Sequence, residues 1–326
     1  MENIIESSLL EKLTEYEKLI GNTPLIELSN IEGVGTIYAK CEWYNATGSI
    51  KDRAAFAMIK NLLEENKDRD SSDFHILEYS GGNLALSLAH ICKFLNISLT
   101  LVLSSAADKS LLSKLYRLNA EVILSDKSKG FWGVMCKAFD VHKENPTWDF
   151  LYQHHNKNNH FAHKNGTGSE IIQQLNGKQV DTWVASVGTG GTVTGVYDSL
   201  KLKYPSINMC IVSPAELEYG SLEKPNSLRK YAGSGGLGEG RKQRFVEERE
   251  MYIQSHYKYS FDDTLREMKR FYDNTGIKIG TSAAANLLAS KEIIKEQNRN
   301  FSVVTVFPDQ GSDEEWEACY RLDEEK

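Results

Sequence analysis

Lys51 has the setting in this chain that most invites chemistry. It ends the polar, turn-rich stretch Lys40-Cys-Glu-Trp-Tyr-Asn-Ala-Thr-Gly-Ser-Ile-Lys51-Asp-Arg and opens what reads as a helix, DRAAFAMIKNLLEE. A lysine in the first helical turn lies against the positive end of the helix dipole. That favours the neutral amine, the form that attacks carbonyl carbon. A solvated surface lysine is the alternative reading. A second segment, Val187-Gly-Thr-Gly-Gly-Thr-Val-Thr-Gly195, follows the apolar run TWVAS and precedes the helix-like VYDSLKLKY. Gly188, Gly190 and Gly191 permit close backbone approach, Thr189 and Thr192 add hydroxyls, and a helix N-terminus favours an anion, so the segment suits a phosphate. It lacks the G-K-S/T of a Walker loop and the dinucleotide fingerprint, and a tight turn alone would also explain it.

Two further strand-end loops carry polar groups. Glu78-Tyr-Ser-Gly-Gly-Asn83-Leu-Ala lies between FHIL and LALSLAHICKFL. Asn83 both donates and accepts, which suits a ligand hydroxyl, while Ser80 and the N–H groups of Gly81 and Gly82 suit a carboxylate. Ile279-Gly-Thr-Ser282-Ala-Ala-Ala-Asn enters another helix through small residues. Asn83 and Ser282 are also plausible N-caps on type alone.

The elements that must position these residues are legible as a rhythm. TIYAKCEW, FHILEYS, SLTLVLS, AEVILS, TWVASVG, INMCIVSP and FSVVTVFP are apolar runs with strand character, mostly separated by helix-length segments such as SLLSKLYRLNA and EIIQQL. Val303, Val304, Val306 and Phe307 are apolar on both faces of their run, as in a parallel sheet covered by helices on each side. Ligands of such folds gather at strand carboxyl ends. A length of 326 residues suggests two domains, and a composition of 40% hydrophobic and 25% charged residues is that of a globular protein. The net charge of −7 argues against nucleic acid or anionic membrane as partner, and no apolar run is long enough to span a bilayer. Cys41, Cys92, Cys136, Cys210 and Cys319 form no C-x-x-C pair, and the first 21 residues lack a signal-peptide core; both features point to free thiols in the cytoplasm. N-x-S/T triplets such as Asn45-Ala-Thr would carry no glycan there. The acidic stretch at Asp313, Glu314 and Glu315 and the end of the chain reads as a solvated face or tail.

Taken in order, these segments resemble the pyridoxal-phosphate enzymes of the cysteine synthase and cystathionine β-synthase family, within the fold that contains tryptophan synthase β. Ile20-Gly-Asn-Thr-Pro-Leu25 is close to the family's I-G-N-T-P-L, and Gly48-Ser-Ile-Lys51-Asp-Arg to its S-x-K-D-R motif. Gln153-His-His through His163 to Gly168-Ser-Glu170-Ile resembles Q-F-x-N…H…T-G-x-E-I, and Val187 to Gly195 resembles V-G-T-G-G-T-x-T-G. The resemblance covers nearly the whole chain. It implies two three-layer αβα domains with mostly parallel twisted sheets: a smaller one at 42–157 carrying the Asn83 loop, and a larger one from 1–41 plus 158–326 carrying the phosphate loop. The active site would lie in the cleft between them. Assembly as a homodimer follows by the same analogy.

The resemblance further implies that Lys51 holds pyridoxal 5'-phosphate as a Schiff base, that Gly188, Thr189, Gly190, Gly191 and Thr192 cradle its phosphate, and that Asn83 bonds the ring's 3′-oxygen. Ser282 would face the pyridine nitrogen, where a neutral hydroxyl leaves the nitrogen largely unprotonated and favours β-departure over transamination. Ser80, Gly81, Gly82 and Gln153 would hold the substrate carboxylate. The implied activity is β-replacement on an activated serine- or cysteine-like amino acid through an aminoacrylate, with Lys51 as base and acid and the nucleophile unassigned. Gly81 and Leu84 stand where the family's T-S-G-N-T-G loop has a serine and a threonine, which keeps a β-eliminating lyase or dehydratase as the alternative; a non-catalytic relative is disfavoured by the retained Lys51. Glu239, Arg241 and Arg244, in the loop facing the second substrate, are expected either to read an anionic group or to be solvated. His154, His155, His160 and His163 lie inside the match without zinc-type spacing, so no metal is expected, and neither haem nor nucleotide control is expected.

Overall fold

The computed structural model describes residues 8–31, 35–233, 235–297 and 300–324. Ten strands are present among them: β1 Leu25–Ile31, β2 Gly35–Cys41, β3 His75–Tyr79, β4 Ser98–Ser104, β5 Glu121–Ser125, β6 Asp149–Phe150, β7 Thr182–Ser186, β8 Asn208–Pro214, β9 Ile253–Tyr259 and β10 Phe301–Phe307. They form a six-stranded sheet in the order β1-β2-β10-β7-β8-β9 and a four-stranded sheet in the order β5-β4-β3-β6. Only the β1–β2 pair is antiparallel.

Both sheets are covered on two faces, as their apolar runs require. In β10, Phe301, Val303 and Phe307 pack towards helices Phe261–Thr275 and Thr281–Lys295, while Val304 and Val306 pack on the opposite face with residues of helix Gly191–Lys203. In the smaller sheet, Ile76 and Leu101 face helices Lys51–Glu65 and Asn83–Leu95, and Leu77 and Val102 face helix Gly130–Glu144. All seven strand-like runs of the sequence are strands. Three strands escaped it, because β1 and β9 are edge strands with polar residues interleaved and β6 is two residues long. No helix of the described residues is long and apolar enough to cross a membrane. None of the five cysteines is in a disulfide, and all but Cys136 are buried.

Strand order reverses once in each sheet, and this places the ligand crevice. From β7 the larger sheet runs one way through β8 and β9 and the other way to β10; from β3 the smaller runs through β4 and β5 one way and to β6 the other. Loops leaving carboxyl ends at such a reversal diverge and leave a crevice between them. The four loops concerned follow Ser186, Phe307, Tyr79 and Phe150, and they begin the four segments containing Gly188, Asp309, Ser80 and Gln153.

The acidic stretch is not a solvated tail throughout. Helix Asp313–Glu324 contains Trp316, which is buried, and Glu315 is buried where it accepts from the Ser312 N–H at 2.7 Å and from the Thr281 hydroxyl. At a helix N-terminus the unsatisfied N–H groups favour an acid that turns inward. Residues 325 and 326, like the opening residues 1–7, lie outside the described residues; from Ser8 the chain enters helix Leu9–Glu17 through a Ser8–Glu11 capping box.

Motif residues far apart in sequence meet in a buried ion cluster. Arg53 Nε lies 2.6 Å from Glu42 Oε2, Arg53 Nη1 lies 2.7 Å from Glu170 Oε1, and Lys40 Nζ lies 2.7 Å from Glu170 Oε2. The Thr23 hydroxyl donates to Glu42 at 2.7 Å and accepts from Arg53 at 3.2 Å. Burial alone would push the Glu170 carboxyl up, but Arg53 and Lys40 hold it down to about 2. Two cations and two carboxylates balance, so removing one strands another in a dry site. Arg53→Met is therefore expected to lower unfolding stability by about 3–5 kcal/mol in urea titrations. The Glu170 contribution is present above its ordinary value of 4.5 and is lost as pH falls towards 2, which acid titration of the wild type reads.

Candidate active site

Lys51 is the first residue of helix Lys51–Glu65, and the turn before it is tied down on both sides. Thr47 donates through its N–H and its hydroxyl to the two Asp52 carboxylate oxygens at 2.8 and 2.7 Å. The Ile50 N–H donates to the Pro308 carbonyl at 2.9 Å, which moors the turn to the end of β10. Lys51 is half-buried and lines the crevice, so the solvated-lysine reading fails. Its amine is pushed down chiefly by burial, with the Asp309 carboxylate opposing. Loss of hydration favours the neutral amine here.

Asp309 is the functional candidate that sequence reasoning missed. Its Oδ2 accepts from Asn83 Nδ2 at 2.7 Å and its Oδ1 from the Gly311 N–H at 2.8 Å. Burial and the neighbouring Glu315 push its carboxyl up to about 6, against the Gly311 and Asn83 hydrogen bonds and the Lys51 charge. The available signal was an acid two residues beyond a strand rich in valine and phenylalanine, in Phe307-Pro-Asp-Gln-Gly. Asn83 is no N-cap: it is the first residue of its helix, with Gly82 at the cap position, and its side chain reaches Asp309 instead. Ser282 is likewise inside helix Thr281–Lys295, whose cap position is Gly280. A Cβ on Gly280 would lie 2.0 Å from Asp309 Oδ1, so only glycine admits that carboxylate.

The glycine-rich segment is a shaped cradle rather than a bare turn. Gly190 has φ +87°, and a Cβ on Gly188 would sit 2.3 Å from the Gly233 carbonyl oxygen, on Gly191 2.5 Å from Asn159 Oδ1. Asn159 Nδ2 donates to Thr189 Oγ1 and to the Gln153 carbonyl, each at 2.9 Å, and so links the cradle to the segment after β6. The Thr192 hydroxyl lies 3.2 Å from His163 Nε2. One cavity is lined by Lys51, Asn83, Gly188, Thr189, Gly190, Thr192, Ser282 and Asp309, with Gly191 opening the helix behind them.

That cavity continues into a cleft of about 860 Å³, within the range of ligand pockets, to which Ser80, Gly81, Gly82, Gln153 and His154 contribute from the smaller sheet. Ser80 Oγ accepts from the Gly82 and Ala85 N–H groups at 3.2 and 3.3 Å, so this hydroxyl already serves the turn. Gln153 Nε2 donates to the Tyr79 carbonyl at 2.6 Å; its other hydrogen meets Glu78 Oε1 at only 3.5 Å. Burial pushes the Glu78 carboxyl up to about 8.

Glu239, Arg241 and Arg244 line neither space. Arg241 pairs with Glu239 at 2.6 Å and covers the Trp132 ring at 4.3 Å, and Arg244 pairs with Glu248 at 2.8 Å. The cations that do line the cleft from this part of the chain are Arg229 and Lys230. Among the four histidines, His160 meets Asp198 at 3.0 Å, His163 meets Thr167 at 3.1 Å, and His155 meets Arg244 at 3.3 Å. No group of three or more histidine, cysteine or acidic side chains among the described residues is arranged to hold a metal ion.

The family model described as pyridoxal-phosphate dependent enzyme matches residues 16–309. A cysteine synthase of Staphylococcus aureus is 31% identical over 301 residues, which are 90% of this chain and 93% of the relative. An O-acetylserine dependent cystathionine beta-synthase of Bacillus subtilis is 28% identical over 91% of this chain and 94% of its own. The crystal structure of a hydrogen sulfide-producing enzyme from Fusobacterium nucleatum superposes with a TM-score of 0.80 at 28% identity, covering 94% of this chain and 99% of that one.

The residues present fit pyridoxal phosphate. A seat without side chains meets a helix N-terminus for the phosphate, and a desolvated amine, an amide and a hydroxyl line the same cavity. Gly188→Ala drives a Cβ into the Gly233 carbonyl. It is expected to weaken pyridoxal-phosphate binding to the apoprotein at least about tenfold, equivalent to about 1.4 kcal/mol, in fluorescence titration.

Proposed function

The chain belongs to the pyridoxal-phosphate dependent enzymes, and within them we propose that it replaces the β substituent of an activated serine- or cysteine-like amino acid, with Lys51 as the residue that carries the cofactor and moves the protons. The observation that carries this reading is the lining of one cavity by Lys51, Asn83, Ser282 and the glycine cradle. In it, Gly188, Thr189, Gly190, Gly191 and Thr192 would seat the phosphate, Asn83 the ring's 3′-oxygen and Ser282 the ring nitrogen.

When bound, the cofactor supplies the electron sink that lets the Cα–H and Cβ–substituent bonds break. The chain's own residues do the rest. Burial pushes the Lys51 amine towards its neutral form, the form that can take the α-proton and later return it. Asp309 faces the same space and stabilises the ammonium when Lys51 holds the proton. Asp309 also orients the Asn83 amide, whose remaining hydrogen and oxygen are left for the ligand. Ser282 offers a hydroxyl and no charge to the ring nitrogen, which limits how long negative charge persists at Cα. The Ser80 hydroxyl hydrogen, the backbone of Gly81 and Gly82 and the second amide hydrogen of Gln153 hold the substrate carboxylate. The cleft leaves room beside the amino acid for a second reactant.

Release of the β substituent without replacement is the second reading. It is favoured by the loss of hydroxyls at Gly81 and Leu84 and by the likeness to the hydrogen sulfide-producing enzyme. The same reading takes residues 42–157 as one domain and 1–41 with 158–326 as the other, and the chain as a cytoplasmic homodimer. Unpaired cysteines support the compartment, and family analogy supports the dimer.

Borohydride reduction of the yellow holoprotein followed by peptide mapping is expected to place a pyridoxyl group on Lys51. Lys51→Ala should be colourless and slower by about 100- to 10,000-fold with O-acetylserine, O-phosphoserine or cysteine. A mixed product with an added thiol or amine reports replacement, and pyruvate or sulfide without one reports elimination. A pyridoxyl group mapped elsewhere overturns the assignment of Lys51.

A further inference from the structure

The corner of the cleft at the ends of β3 and β6 is short of side-chain donors. Ser80 Oγ accepts from two N–H groups of its own turn and offers the corner a single hydroxyl hydrogen, Gly81 and Leu84 have no polar side chain, and one Gln153 hydrogen is committed to the Tyr79 carbonyl. One polar side chain in this corner remains without a task in the mechanism above. His154 is 4% exposed and lines the cleft, but it is absent from the cradle where the phosphate seats.

The His154 ring is held rigidly and in one protonation form. It stacks on Tyr79 with centroids 5.5 Å apart and planes at 22°, and Phe131 tilts against it at 5.8 Å. Its Nδ1 lies 2.7 Å from the Tyr79 hydroxyl. Burial pushes the Tyr79 phenol far above its ordinary range, so the phenol keeps its proton and donates it to Nδ1. Burial also pushes the imidazole down to about 3, with the charges of Lys51 and His155 acting in the same direction. A neutral imidazole that accepts at Nδ1 carries its hydrogen on Nε2. That nitrogen bonds no other described residue, and the small exposed part of the ring opens to the cleft.

We propose that His154 is a substrate-contacting residue whose Nε2–H donates a hydrogen bond to an oxygen of the bound amino acid, with Tyr79 as the positioning residue that fixes its tautomer. The inference rests on the functional reading above and adds to it a donor from outside the Ser80–Leu84 loop. A relay from the Tyr79 hydroxyl through the ring to the ligand polarises each bond in turn, so the contact is stronger than an isolated imidazole would give. A neutral donor also keeps its hydrogen throughout the neutral pH range, where an imidazolium would lose its charge.

The test uses the pyridoxal-phosphate-loaded protein and three variants. His154→Phe keeps the ring and removes the N–H, Tyr79→Phe keeps the imidazole and frees its tautomer, and the double variant leaves no buried hydroxyl unpaired. Dissociation constants are read from the cofactor absorbance with L-alanine, which offers only a carboxylate, and with O-acetyl-L-serine, which adds β oxygens. His154→Phe should weaken binding by about 10- to 100-fold, the range of a hydrogen bond to a charged group. Weakening with both ligands identifies the carboxylate as acceptor, and weakening with O-acetyl-L-serine alone identifies the β oxygen. The double variant should bind no better than His154→Phe, and imidazole 15N spectra should show the Nε2–H form in the wild type and a mixture in Tyr79→Phe. Unchanged dissociation constants in His154→Phe, or affinity that returns in the double variant together with thermal stability, would overturn the proposal by making His154 a packing residue. A wild-type protein that takes up no pyridoxal phosphate would overturn the functional reading itself, and this contact with it.

Discussion

Arg53 is the residue on which the placement of the chemistry depends. Its guanidinium bridges Glu42, at the end of β2, to Glu170, in helix Gly168–Leu175, and also bonds Thr23 ahead of β1. A planar fork with five donors can satisfy two carboxylates and a hydroxyl at once, which a lysine ammonium could not do in the same geometry. Because Arg53 is two residues after Lys51, fixing its head group fixes the first turn of the helix and hence the origin of the Lys51 side chain. Lys40 completes the neutralisation from the strand side. The cost of hiding four charges is offset only when all four are present, so the geometry tolerates little drift.

The two sheets contribute different halves of one site. The larger supplies the anion seat and Asp309, the smaller the Asn83 loop and the corner with Gln153 and His154. Bonds that tie the loops around the cleft to one another include Asn83 to Asp309, Ile50 to Pro308 and Asn159 to Thr189. Asn83, Asp309, Ile50, Pro308 and Thr189 all line the cavity, so its dimensions are set by these hydrogen bonds as well as by side-chain packing.

Much of this was legible in the residues themselves. Buried parallel strands are dominated by apolar residues on both faces, and β4 and β10 could be read to within a residue because they contain no charged residue, glycine or proline. The glycine-rich pattern announced a tightly packed backbone turn, and Gly188, Gly190 and Gly191 each meet a neighbour that a Cβ would strike. What stayed hidden depends on long-range pairing. Asp309 bonds Asn83 across 226 positions, and no local pattern reports such a meeting. Arg241 and Arg244 were legible as charges but not in their direction, because partners at Glu239 and Glu248 were available nearby and left them no reason to turn to the cleft. The hydroxyl of Tyr79 and the ring of His154 belong to segments 75 positions apart, so their union emerges only with the β3–β6 pairing.

The carbonyl of Gly233 presses against Gly188, and the Gly235 N–H bonds the Val187 carbonyl at 3.2 Å. The anion seat thus shares a backbone seam with the segment that forms the outer wall of the cleft. Any rearrangement of that wall alters the energy of a seated anion, and thermodynamic reciprocity requires the anion to bias the wall by the same factor. An anion held at the Gly188 turn and the conformation of that wall therefore belong to one linked equilibrium.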